Sequence, residues 1–251
     1  MRNYWLMASF MACFASPAWG NPLAQLYTQT MQETQEPASA TANKFEACEA
    51  LPPTEGTKLG IIRQMLGSGK PHAALAHLDA ARIESPQSDL LRADSLRQTG
   101  RNREAAEFYR KLLNTCVAGN AHQGLGLIAS HTGNVREAII QLGEASEALP
   151  VDPNVRNDYG YALLLADENE GALHEFLTAI ELAPGHRQAA HNLLLLLFRT
   201  GETEKAASFA ERFGIGAAEV DRLKTQAKQP LPGIALNDVS ARQTGGQNAA
   251  Q

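Results

Sequence analysis

The chain is poor in aromatic residues, which fill 6% of its 251 positions, and poor in cysteine, of which there are three. It has no excess of basic charge: 22 Lys and Arg stand against 27 Asp and Glu, a formal net charge of −5. That balance argues against the basic face on which nucleic-acid binders depend. No two of the seven histidines stand at the i, i+4 spacing that puts two metal ligands on one helical face. No serine sits in a nucleophile elbow, and no carboxylate pair stands out by context. The apolar run at residues 4–15 is too short to span a bilayer. These absences lead us to expect no catalysis, no metal, no cofactor and no small-molecule substrate.

What is present is helical and repetitive. Asp152 can cap a helix, and Pro153 sits where its missing N–H costs nothing. Gly160, Leu163 and Leu164 follow at helical spacing. A polar break at residues 167–171 ends that helix, and Ala172, Phe176 and Ala179 mark a second one that Pro184 stops. The order Gly160, Ala172, Phe176, Ala179, Pro184 resembles the tetratricopeptide repeat (TPR) template. One such hairpin cannot bury its apolar face alone, so neighbours are expected.

They are found in register. The small residue of each second helix recurs at Ala74, Ala105, Ala138, Ala172 and Ala206. Four residues on, the large position is Leu78, Tyr109, Leu142 and Phe176, then Ala210. Turn glycines stand at Gly69, Gly100, Gly133 and Gly201. The fourth unit has Asp167 there, with Asn169 and Gly171 close by as substitutes. The expectation is an all-α TPR solenoid of about five helix-turn-helix units, at about 55–85, 86–118, 119–152, 153–186 and 187–214. A helix at 217–228 should cap it, giving an array over 57–228. Two phosphate-like patterns, at residues 66–71 and 124–129, fall on helices and helix turns rather than after strands, so neither indicates a nucleotide site.

The ends read differently. Residues 1–20 have an early Arg2, an apolar stretch and small residues at Ala18 and Gly20, which is the form of a cleaved export signal. Residues 21–56 lack a sustained apolar period and are expected to be a flexible linker, and residues 229–251 a disordered tail. Export points to the periplasm. Lipid anchoring to the outer membrane through Cys13 is the less favoured alternative, because Phe10, Met11 and Ala12 make a poor lipobox. With the signal removed, Cys48 and Cys116 remain, and one disulfide between them is expected, two free thiols being the alternative.

In a TPR array the first helices line a groove, through the second, fifth, ninth and twelfth positions of each unit. These include Asn120, Gln123, Asn154, Asn157, Tyr161, His191 and Phe198 as the candidate partner-binding set, with Arg63, Asp94, Arg97, Leu127, Leu164 and Leu195 on the same face. Amides can bond an extended backbone, and tyrosine can pack and donate at once. The lysines of a carboxylate clamp are absent where Leu59 and Gly124 stand.

A narrower resemblance lies in residues 155–164 (VRNDYGYALL), in 176–182 (FLTAIEL), and in Arg187, Asn192 and Leu193. These are similar to the TadD-like TPR proteins of the tight-adherence (Flp) pilus system. The resemblance implies a non-enzymatic scaffold that binds protein components of the pilus secretion machinery, with peripheral association at the outer membrane. The alternative is a periplasmic or outer-membrane TPR adaptor unrelated to pili.

Overall fold

Residues 48–231 are described in the computed structural model. The expected signal at 1–20, Cys13, the linker up to residue 47 and the tail beyond 231 lie outside the described residues. The described residues form helices joined by short turns, with no strand among them. In chain order they pair as α1 (Pro53–Gly67) with α2 (Pro71–Ala81), α3 (Pro86–Gln98) with α4 (Asn102–Leu112), and α5 (Ala118–His131) with α6 (Val135–Ala148). Next come α7 (Pro153–Leu165) with α8 (Asn169–Leu182), α9 (Arg187–Arg199) with α10 (Thr203–Arg212), and finally α11 (Ala217–Gln226).

Local chemistry explains where these helices start. Proline opens α1, α2, α3 and α7, with its fixed φ and no orphan N–H to satisfy. Ser85 Oγ accepts from the Ser88 N–H at 3.1 Å. Asp152 Oδ1 accepts from the N–H groups of Asn154 at 2.8 Å and Val155 at 3.3 Å. The turns inside the hairpins need a left-handed residue. Gly69, Gly100, Gly133 and Gly201 supply it at φ between 69° and 80°. In the fourth hairpin Asp167 itself takes φ 60°, a conformation that Asp tolerates better than most residues. Asn169 and Gly171 are not substitutes for the missing glycine; they belong to the first turn of α8.

Each second helix packs on its own first helix and on the first helix of the next unit. The first helices α1, α3, α5, α7 and α9 also touch in succession, so they form a continuous inner layer. The repeated alanines Ala74, Ala105, Ala138, Ala172 and Ala206 are fully buried and allow this approach. Leu78, Tyr109, Leu142 and Phe176 fill the space between helices. Gly160 is required there: a Cβ would lie 2.8 Å from the Phe176 ring.

The boundaries differ from expectation at both ends. Residues 48–56, expected as flexible linker, are tied down: Cys48 and Cys116 are disulfide-bonded, Leu51 packs on the first hairpin and α1 begins at Pro53. Residues 229–231, expected as tail, are also packed. Leu231 is 2% exposed and joins the core of α7–α11. Arg199 Nη1 donates to the carbonyls of Ala227 at 3.4 Å and Gln229 at 3.2 Å, drawing that segment back onto α9.

Candidate functional site

The inner layer carries a row of polar side chains that continues from one unit to the next. Tyr109 rises from α4 between α3 and α5, and its ring is fully buried. Its hydroxyl donates to Asp94 Oδ1 at 2.6 Å and accepts from Arg97 Nε at 3.2 Å. Arg97 Nη2 lies 3.9 Å from Asp94 Oδ1. This arrangement depends on Gly124 of α5, where a Cβ would lie 2.2 Å from the Tyr109 ring. Burial pushes the Asp94 carboxyl above its ordinary range, although Tyr109, Arg97 and Arg63 pull it down. Burial raises the Tyr109 phenol as well, and the Asp94 charge adds to that effect.

Further along, Gln123 Nε2 of α5 donates to Asp158 Oδ2 of α7 at 2.8 Å. Asn157 Nδ2 donates to Asp158 Oδ1 at 3.2 Å, and Asn192 Nδ2 of α9 donates to Asn157 Oδ1 at 2.8 Å. Gln188 Nε2 reaches Asn192 Oδ1 at 3.4 Å. Asn157 and Asn192 are buried, at 5% and 6% exposure. Each clasp joins adjacent first helices between residues 35 apart: Gln123 to Asp158, and Asn157 to Asn192. Burial raises the Asp158 carboxyl above the ordinary aspartate value, against the hydrogen bonds of Gln123 and Asn157 and the charge of Arg97.

Two cavities open on this face. The larger, about 710 Å³, is lined by Arg97, Leu127, Ser130, Asp158, Tyr161 and Asn192, among others. The smaller, about 400 Å³, contains Arg63, Asp94, Asn120, Gln123 and Gly124. Arg97, Gln98 and Leu127 border both, so the two are consecutive stretches of one groove. The Ser130 hydroxyl is buried in the larger cavity with no hydrogen-bond partner. A row of amides beside Leu127 and the half-buried Tyr161 can bond a backbone and pack its side chains.

The structure separates the seven residues expected to form the groove. Asn157 and Tyr161 line the larger cavity, and Asn120 and Gln123 the smaller. Asn154, His191 and Phe198 line neither. Asn154 is exposed and engaged locally, donating to Asp152 Oδ1 and meeting His186 Nε2 at 3.2 Å. His191 turns to the capping helix, with Nε2 3.3 Å from Glu219 Oε1 of α11. Phe198 is half-buried against the core of the last two units. Leu164 and Leu195, also expected on the groove face, are core residues. Asp158 and Asn192 face the groove and escape the positional rule. They sit one residue off it, and the spacing of 35 between polar residues was the signal that could have found them. Gln188, also on the cavity wall, stands at the second position of its unit and so obeys the rule.

Among the described residues no helix is long and apolar enough to cross a membrane, and no cluster of three or more His, Cys, Asp or Glu could hold a metal ion. The tetratricopeptide repeat family profile matches residues 65–121. The TPR repeat-containing protein PA4299 of Pseudomonas aeruginosa is 37% identical over 210 residues, covering 75% of this chain and 83% of that protein. Among solved structures, MamA (residues 41 to end) from Desulfovibrio magneticus RS-1 superposes with a TM-score of 0.50 at 18% identity, over 72% of this chain and all of that one. Another MamA crystal structure gives a TM-score of 0.50 at 17% identity, over 66% of this chain and 97% of that one. At these identities MamA supports the fold alone. TPR proteins are generally non-catalytic scaffolds for protein–protein interaction. The chain belongs to the TPR repeat-containing protein family.

Proposed function

We propose that this chain is an exported scaffold that holds an extended segment of a partner protein along its inner groove during assembly of a Flp-type pilus. The observation that carries the binding mode is the cavity of about 710 Å³ lined by the amides of Asn157, Gln188 and Asn192 beside Leu127 and Tyr161. Amides at this density suit main-chain hydrogen bonding, and the apolar residues between them give pockets for side chains. The pilus role is supported by the similarity of residues 155–164 and 176–182 to the TadD-like proteins. The partners are then protein components of the secretion machinery, reached in the periplasm.

Deleting the gene in a piliated host should abolish surface pili while leaving prepilin synthesis intact. Asn157→Ala with Tyr161→Ala should fail to restore them, while the chain still accumulates and melts cooperatively. Normal piliation after deletion would end the pilus role. Full rescue by the double variant would move the site off the groove.

A further inference from the structure

From Asp158 we infer that the segment held in the groove presents a lysine or arginine, and that this carboxylate receives it. The inference rests on the groove reading above and names the chemistry it selects. Asp158 lines the larger cavity, and its two described hydrogen bonds come from neutral amides, Gln123 Nε2 and Asn157 Nδ2. A carboxylate has about four acceptor positions, so roughly half of its capacity is left for the cavity. No cation lies within ion-pairing distance of it among the described residues.

The nearby charges do not neutralise it. Arg97 is felt across the cavity, but its guanidinium is committed to the Tyr109 hydroxyl and lies against Asp94. Asp94 and Asp158 both draw on Arg97, with Arg63 acting on Asp94 alone, and Asp152 adds further negative potential at Asp158. An uncompensated carboxylate is costly in a half-enclosed cavity. A cationic side chain entering there forms a charge-assisted hydrogen bond where little water competes. Glu175 on the other side of α7 shows the contrast, since its buried carboxylate is already held by Arg156 at 3.1 Å. Asp158 is the half-open counterpart.

The test uses the purified chain and immobilised nonapeptide pools, random except for a fixed central Lys, Arg, Leu or Glu. The Lys and Arg pools are expected to bind about tenfold more tightly than the Leu pool, with the Glu pool weakest. Asp158→Asn should flatten this order while the chain still unfolds in one cooperative transition. If pools bind without preference for a basic centre, this inference is overturned and the groove reading survives. If no pool binds, both fail. Should Asp158→Asn not fold, the order measured on the wild-type chain alone decides the matter.

Discussion

Tyr109 and Phe176 occupy the same position in two repeats, four residues after the buried alanines Ala105 and Ala172. Both rings are fully buried, yet they do different work. Phe176 is an apolar plug in the core that runs from α7 to α11, packed over Gly160. Tyr109 fills the equivalent space and then passes a hydroxyl through to Asp94 and Arg97 on the groove face. That passage needs a second small residue, Gly124, on the following unit. One repeat position can thus close an interface or connect the core to the binding surface, and the difference depends on what the next helix leaves open.

Phe176→Ala should have the largest effect, a loss of about 3–5 kcal/mol by chemical denaturation, because the ring leaves a cavity in the central C-terminal core. Reducing the Cys48–Cys116 bond should cost about 4 kcal/mol, since it closes a long loop of the unfolded chain. Cys48 and Cys116 both pack on the Tyr109 cluster, so amide exchange should accelerate first in α3 and α4 and leave the Phe176 region protected. Tyr109→Phe should cost about 1–3 kcal/mol, because it preserves the packing and strips Asp94 of its phenol donor. If it costs as little as a surface substitution, the contrast between the two rings dissolves.

The smallest expected effect is on pH dependence. Asp94 and Asp158 titrate above the ordinary aspartate value of 3.8, so the folded chain holds protons that the unfolded chain has released. Their contribution to stability therefore grows as pH falls through their folded values, and is complete below 3.8. Relative to the Asp94→Asn, Asp158→Asn double variant, the wild-type chain should gain stability on acidification. A relative loss over that window would mean that the two carboxyls are not held in a desolvated groove.

The repeat architecture was legible because its sterics recur. An alanine, a large residue four positions on and a turn glycine leave the same mark in each unit. Asp167 was legible only as a gap in that pattern; its own left-handed backbone emerged from the structure. The groove was half legible. Counting positions along each first helix found Asn157 and Tyr161, because α7 keeps the template register. It failed at His191, because α11 covers that flank and the imidazole lies beside Glu219 there. It failed at Asp158 and Asn192, whose roles come from contact with the preceding unit rather than from their own helix. Periodicity describes one helix, and inter-unit clasps involve two.

The central claim is that partners are held on the inner face of the first helices. A photo-crosslinking amino acid at position 161, inside the larger cavity, and another at Ile140, exposed on the second helix α6, test it most directly in living cells. The groove predicts a discrete protein adduct from position 161 that Asn157→Ala abolishes, and none from position 140. An adduct from position 140 alone, or one from position 161 indifferent to Asn157→Ala, would contradict it.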